Sequence, residues 1–276
     1  MRVAAVQLNS TAEKAANLAA ADHHTRAAAR DGAELIVLPE KWTVIGAERE
    51  LREGAETLDG PAISWARDLA RELQIDLVAG SIAELRPSRE KLSNTCVHIG
   101  PQGEIHATYR KLHMFDVEVA GKTYRESDIE EPGEEIVLSQ TADGVGLGLS
   151  ICYDLRFPEL YRILAVRGAR LLTVPAAFTL TTTRDHWRTL LRARAIENQA
   201  FVIAANQIGV HPGGHESGGR SMIIDPWGVV LAQAADSEGH ILADLDLHRQ
   251  EEIRTQLPAL ANRRGDLYTW PQEVAL

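Results

Sequence analysis

A thiol, a carboxylate and an ammonium group stand at the ends of three apolar runs in this chain. Cys152 closes the run from Val145 to Ile151, and Pro158 follows at a position suited to the first helical turn, where its missing N–H costs little. A thiol at such a strand-to-helix junction lies at the carboxyl edge of a sheet, where unpaired N–H groups of the helix start can stabilise an anion. Glu40 follows Leu35-Ile36-Val37-Leu38-Pro39, and Lys111 follows the strand-like run from Ile105 to Tyr109. Sites in α/β proteins gather beyond the carboxyl ends of strands, so the three groups can converge on one pocket. The chemistry within reach is nucleophilic catalysis, which needs an activated nucleophile, a proton shuttle and a donor for a developing oxyanion. Cys152 is the candidate nucleophile. Taken alone it also reads as a core-packing thiol, because free cysteine behaves as a small hydrophobe.

The elements that must position these groups alternate between strand and helix. Val3 to Leu8 reads as a strand, and Ser10 with Glu13 reads as a capping box for a helix that carries Ala15, Leu18 and Ala19 on one face. Leu35 to Leu38 is a strand, Ile63 to Leu73 a helix, and Asp76 to Ser81, Asn94 to Ile99 and Ile105 to Tyr109 continue a sheet. Gly100-Pro101-Gln102-Gly103 is a hairpin turn between the last two. After Cys152 come a helix from Pro158, a strand from Leu171 to Val174, and a helix near Asp185 to Asn198 with Trp187, Leu190, Leu191 and Ala195 on one face. The strand Phe201 to Ala205 follows; then Ser221 to Asp225, Val229 to Ala232 and Ile241 to Asp244 read as a late antiparallel group. Mixed βα units and hairpins predict an α/β fold of two face-to-face sheets covered by helices, because buried strands need cover on both faces. No linker, repeat or low-complexity segment interrupts the 276 residues, which read as one domain.

Composition narrows the function classes. The formal net charge of −10 argues against general nucleic-acid or membrane-surface binding, and no apolar stretch is long enough to span a membrane. The two cysteines, Cys96 and Cys152, are too few for a disulfide framework and point to reduced thiols in the cytoplasm. The N-terminal run Met1 to Gln7 enters a strand directly and does not read as a signal peptide. Cys96 lies in a strand with no carboxylate or lysine of its own nearby and reads as structural.

Several blocks carry a family resemblance. Leu-Pro-Glu-Lys-Trp (38–42), Tyr-Arg-Lys-Leu-His-Met-Phe-Asp (109–116) and Cys-Tyr-Asp-Leu-Arg-Phe-Pro-Glu-Leu (152–160) resemble the three signature blocks of the nitrilase superfamily of carbon–nitrogen hydrolases, and of its Nit-type amidase branch in particular. The likeness extends through His186-Trp187, the segment 194–199, Asp225-Pro226-Trp227-Gly228 and the segment 264–268. It implies a four-layer αββα sandwich as a single domain over 1–276, with a core to about residue 270 and a short tail. A homodimer or larger oligomer is also implied, paired through the helices near the nucleophile and the C-terminal segment. The resemblance assigns Cys152 as nucleophile, Glu40 as general base and acid, Lys111 as oxyanion stabiliser with the backbone N–H of Tyr153, and Glu126 as a second glutamate orienting the substrate or the lysine. A buried ammonium beside two carboxylates keeps its charge, and that charge in turn favours the thiolate. Read without the resemblance, Glu126 lies in the acidic stretch 126–131, which also reads as a solvated loop.

The remaining motifs refine the expectation. Gly144, Gly146 and Gly148 lack the third glycine of a dinucleotide fingerprint and read as a turn into the nucleophile strand. His211-Pro-Gly-Gly-His215 lacks cysteine or helical histidine spacing and reads as a glycine-rich surface loop rather than a zinc site. A papain-like site would need a catalytic histidine and a Cys-Trp context, whereas Tyr153 follows Cys152. No metal and no cofactor is expected.

Within the superfamily, Cys-Tyr-Asp is typical of amidases and Cys-Trp-Glu of nitrilases, so Cys152-Tyr153-Asp154 favours an amide substrate. Arg156 can clamp a substrate carboxylate bidentately, or else form an interface contact or an ion pair with Asp154. Phe178 and Thr179, past the strand end at Pro175, are candidate pocket-wall residues. The substrate expected is a small carboxylate-bearing amide, the ω-amide of a dicarboxylic or 2-oxo acid, hydrolysed to carboxylate and ammonia through a thioester. A larger peptide-like amide such as deaminated glutathione, an N-carbamoyl compound or a nitrile are alternatives. A binding or scaffolding protein that kept the fold is an alternative of another class.

Overall fold

Two β-sheets face each other, and each is covered on its outer side by helices. The computed structural model describes residues 1–119 and 121–268; the expected tail past about residue 270 lies outside them. The first sheet has seven strands: Gly239–Asp244, Arg2–Gln7, Leu35–Val37, Asp76–Val78 and Ser93–Ile99 in that spatial order, with Ile82–Glu84 and Ile105–Arg110 both pairing with Ser93–Ile99. The second runs Val230–Gln233, Met222–Ile224, Phe201–Asn206, Leu171–Ala176, Gly146–Leu149 and Leu138–Gln140. Between the sheets Val3, Ala5, Leu35 and Val37 meet Leu147, Leu149, Val174, Val202 and Ile223 in one buried cluster. Helices Lys14–Arg30 and Pro61–Leu73 close a second cluster on the far face of the first sheet, with Ala21, Ala28, Ile63 and Ala66 against Val6, Ile36 and Leu77. Helices Pro158–Val166 and Arg188–Asn198 cover the second sheet through Leu160, Leu164, Leu191 and Ala195. This is the αββα sandwich, and it arises because strands apolar on both faces cannot leave either one in water.

Local chemistry explains the start of one outer helix, and tertiary contacts explain several departures from the sequence reading. Pro61 opens its helix as expected of a first-turn proline, and Ala62, Ile63, Ala66, Leu69 and Ala70 form its buried stripe. The first long helix is capped differently. The Ser10 hydroxyl donates to the Trp42 carbonyl at 3.1 Å, and the Glu13 N–H finds the Thr11 hydroxyl. Its buried face is Asn17, Ala21, Thr25 and Ala28, while Ala15 and Ala19 are exposed and Leu18 is half-buried. Asn17 reads as a surface residue by polarity, yet its amide is consumed by Thr11 and by the Thr43 carbonyl at 2.9 Å. The helix expected near Asp185 begins earlier, at Leu180, through a π turn over Thr183–Trp187.

The late strands do not form one antiparallel group. Met222–Ile224 and Val230–Gln233 pair, but Gly239–Asp244 crosses to the first sheet beside Arg2–Gln7. There Ile241 and Ala243 reach the inter-sheet core, so this strand covers an edge the N-terminal strand would otherwise expose. Helices Glu48–Gly54 and Leu247–Gln256 and the hairpin Asp116–Val119 with Lys122–Arg125 also went unread, being short or polar. Of the glycine series, Gly144 turns the chain at φ +77°, while a Cβ on Gly146 would stand 2.3 Å from the Gly168 carbonyl oxygen; both suit a tight entry to the strand that leads to Cys152.

Candidate active site

Strand ends from both sheets meet around one cavity of about 260 Å³. From the first sheet, Glu40 follows Leu35–Val37, Lys111 follows Ile105–Arg110, and Asn94 lies on Ser93–Ile99. From the second, Cys152 follows Gly146–Leu149, and Ala177, Phe178 and Thr179 follow Leu171–Ala176. Glu126 enters on a 3₁₀ turn, Glu126–Asp128, after the polar hairpin. Residues as far apart in sequence as Glu40 and Ala177, 137 positions, thus collapse onto one wall.

The buried charges are tightly netted. Lys111, 1% exposed, sets Nζ 3.0 Å from Glu40 Oε1 and 2.9 and 2.8 Å from the two oxygens of Glu126. Glu40 also accepts from Asn94 Nδ2 at 2.8 Å and, through Oε2, from the Ala177 N–H at 2.8 Å. Glu126 takes the Phe115 N–H at 2.7 Å. Burial works to neutralise Lys111, but the carboxylates of Glu126 and Glu40 outweigh it and hold its pKa well above the ordinary lysine value. Burial likewise opposes the charge on Glu126, and Lys111 and Lys41 reverse that effect, keeping it well below the usual carboxylate range.

Cys152 opens a 3₁₀ turn, Cys152–Arg156, with φ at +47°, a left-handed conformation that costs a non-glycine residue of order 1–3 kcal/mol. The fully buried Asp154 fastens that turn. Its Oδ2 accepts from the Ile151 N–H at 2.8 Å and the Tyr109 hydroxyl at 2.6 Å, and its Oδ1 from His113 Nδ1 at 2.7 Å. The expected bias toward thiolate is not the resting balance. Burial and then the Glu40 charge push the Cys152 thiol well above its ordinary pKa, and Lys111 only partly offsets them. The hydrogen bond to Glu40 therefore starts from a thiol, with a carboxylate in place to take its proton. Cys96 is fully buried in the apolar core, where burial alone raises its pKa.

Phe178, Thr179 and Tyr153 line the cavity, as do Tyr124, His211 and Ser217. Arg156 is outside that lining. Its guanidinium stacks over the rings of Phe178 and Tyr153, 5.3 and 5.9 Å from their centroids, and its terminal nitrogens bond His186 Nδ1 at 3.3 and 3.4 Å. Asp154 is spent on other donors, and among the described residues no carboxylate pairs with Arg156, so the expected alternative of an Asp154 ion pair is not formed. The segment 211–219 is more than a surface loop: buried His211 bonds the Ser10 carbonyl at 2.8 Å and the Ser217 hydroxyl at 2.9 Å, fixing one cavity wall. Asn94, Lys41 and Glu130 also belong to the cavity region and escaped the sequence reading. Lys41 abuts Glu40 in the first block, the one hint that could have found it.

Known proteins resemble this chain over almost its whole length. The carbon-nitrogen hydrolase family model matches residues 2–255. The deaminated glutathione amidase of Synechocystis sp. (strain PCC 6803 / GT-S) is 42% identical over 263 residues, which cover 94% of this chain and 97% of that protein. The human omega-amidase NIT2 is 39% identical over 268 residues, covering 97% and 96%. In structure, the C. elegans NitFhit protein superposes with a TM-score of 0.89 at 39% identity, over 97% of this chain and 66% of the longer NitFhit chain. With the sandwich, the three sequence blocks and a family match across most of its residues, the chain belongs to the carbon-nitrogen hydrolase family.

Proposed function

We propose that this protein is a cysteine-dependent amidase that hydrolyses a small carboxylate-bearing amide, the ω-amide of a dicarboxylic or 2-oxo acid, to carboxylate and ammonia. The observation that carries the reading is the convergence of Cys152, Glu40 and Lys111 on one closed wall, with Lys111 held between Glu40 and Glu126. In this mechanism Glu40 takes the Cys152 proton as sulfur attacks the amide carbonyl carbon. Lys111 Nζ and the Tyr153 N–H at the start of the 3₁₀ turn stabilise the resulting oxyanion. Glu40 then returns the proton to the leaving nitrogen, ammonia departs, and a thioester remains. Water, deprotonated by Glu40, attacks the thioester; collapse releases the acid and restores the thiol. Glu126 keeps the Lys111 ammonium aimed at the oxyanion.

Arg156 receives the substrate's distal carboxylate. Its support is an ion-pair inventory that leaves the guanidinium without a carboxylate among the described residues, beside two rings of the cavity wall. Phe178 and Thr179 shape the acyl pocket. A second reading is favoured by the Synechocystis relative: the leaving group is a larger amine, as in deaminated glutathione. The protein acts in the cytoplasm, a reading supported by its free cysteines Cys96 and Cys152, and as a homodimer or larger oligomer, a reading supported by exposed apolar Ile163, Val166 and Ile196 on the outer helices. No helix among the described residues is long and apolar enough to cross a membrane.

The test is product release from a panel of ω-amides with and without a distal carboxylate, N-substituted analogues, nitriles and N-carbamoyl amino acids. Ammonia from carboxylated primary amides, lost in Cys152→Ala, supports the first reading; amine release from N-substituted amides alone supports the second. Arg156→Ala is expected to raise KM for carboxylated amides at least tenfold and leave neutral amides unchanged. Equal changes for both classes refute the clamp.

A further inference from the structure

Behind Glu126 lies a second charged layer that the mechanism above does not use. Lys41 Nζ stands 2.7 Å from Glu130 Oε1 and 3.5 Å from Glu126 Oε1, and Glu130 is 1% exposed. The layer is built rather than incidental. Lys41 adopts φ +50°, with its N–H bound to the Ser81 hydroxyl at 3.0 Å. The backbone around Glu130 is pinned to Leu92 by bonds from Leu92 N to the Ile129 carbonyl and from Glu131 N to the Leu92 carbonyl.

Charge balance in this enclosed wall decides what the layer does. The carboxyls of Glu40, Glu126 and Glu130 meet the ammoniums of Lys111 and Lys41, three acids against two bases. An uncompensated buried charge is costly, so one acid must hold a proton. Glu40 and Glu126 are saturated with N–H donors, whereas neither Glu130 oxygen accepts a well-formed hydrogen bond from the described residues. A proton on Glu130 therefore completes the balance and gives it an O–H to donate to Glu126.

We propose that Glu130 and Lys41 are positioning residues that act on Glu126: Glu130 holds one proton, shared with Glu126, and Lys41 clamps the two carboxyls together, so that Glu126 stays ionised and aimed at Lys111. This rests on the reading of Glu126 as the carboxylate that orients Lys111. The charged groups facing Glu130 are Lys41 from the loop after Leu35–Val37, Lys111 from the end of Ile105–Arg110, and Glu126 on its own turn. Burial pushes the Glu130 carboxyl up, Lys41 opposes and Glu126 reinforces, leaving it at about 7. Losing the proton adds a third negative charge beside Lys111 and weakens the ammonium's pull on an oxyanion.

The experiment measures kcat and KM across pH 6–9 for wild type, Glu130→Gln, Glu130→Leu and Lys41→Met, alongside infrared difference spectra of the protonated-carboxyl stretch over the same range. Wild type should lose kcat as pH rises through about 7 while that stretch disappears. Glu130→Gln, whose amide donates as the protonated acid does, should keep the low-pH kcat within about threefold and lose both the inflection and the band. Glu130→Leu and Lys41→Met should lower kcat about 10- to 100-fold with little change in KM, the cost of letting a reacting group drift by about an ångström. An unchanged pH profile and infrared band in Glu130→Gln would overturn the proposal, as would wild-type kcat in Glu130→Leu. Absence of turnover on any amide would strike the amidase reading instead. The infrared titration would then decide the shared proton by itself.

Discussion

Tyr109 and Asp154 join the strand that ends in Lys111 to the turn that carries Cys152, and Tyr109→Phe isolates that connection. The substitution removes one hydroxyl and leaves the fully buried ring in place, so no cavity opens. What is lost is a 2.6 Å hydrogen bond to a buried carboxylate, a class that contributes about 1.5–3 kcal/mol. Asp154 keeps the Ile151 N–H, His113 Nδ1 and the His113 N–H, so about 2 kcal/mol is the expected net loss. At roughly 2 cal/mol/K of unfolding entropy per residue, a chain of 276 residues has about 0.6 kcal/mol/K in total, and the midpoint should fall by about 3–4 °C. The same bond steadies the left-handed φ of Cys152, so kcat should fall about tenfold while KM holds. Asp154→Asn is the companion variant: its amide turns an N–H₂ toward a site built from donors, and the loss should reach about 3–5 kcal/mol. Thermal denaturation followed by circular dichroism and steady-state ammonia release read both effects. A Tyr109→Phe protein with wild-type midpoint and kcat would refute the reasoning that Asp154 ties the Cys152 turn to the strand ending in Lys111.

Two further outcomes follow from the geometry. Gly80 has φ +49°, and a Cβ there would lie 2.0 Å from the Pro39 carbonyl oxygen, next to Glu40; Gly80→Ala should cost several kcal/mol or displace Glu40, seen as a lower denaturation midpoint with kcat reduced at least tenfold. Because Glu130 binds its proton more tightly folded than unfolded, it opposes folding increasingly as pH rises from about 4.5 to about 7, by roughly 3 kcal/mol in all. Urea titrations should therefore show the stability of Glu130→Gln relative to wild type growing across that window and flat above it; a pH-independent difference would contradict the raised pKa.

Much of the fold was legible because its signals are local. Apolar runs of strand length at Leu35 to Leu38, Leu171 to Val174 and Phe201 to Ala205 and the 100–103 turn marked their elements directly, whereas the helix read from Ile63 begins two residues earlier, at Pro61. Where polarity misled, tertiary satisfaction was the reason: Asn17 faces inward from the first helix with its amide bonded to Thr11 and Thr43, and a segment as polar as Leu247–Gln256 is helical while its Gln250 bonds the Arg170 carbonyl. The strand Gly239–Asp244 joined the first sheet because edge pairing is decided by which sheet has an open flank, which the nearest hairpin does not reveal.

For the site, the sequence by itself determined the chemical types: a thiol, a carboxylate and a lysine, each within three residues of a strand end, in blocks that resemble one superfamily. That information is local because the end of a strand positions whatever residue follows it. Only the tertiary structure decided how those charges are balanced. Glu126 reads as one acid among several in the stretch 126–131, and its pairing with Lys111 depends on a hairpin folding over the cavity. The same is true of Lys41 against Glu130, of Asn94 on Glu40, and of the thiol's protonation. Protonation and ion pairing depend on distances of a few ångströms between residues far apart in the chain and on the water excluded around them, and both exist only once the two sheets have closed.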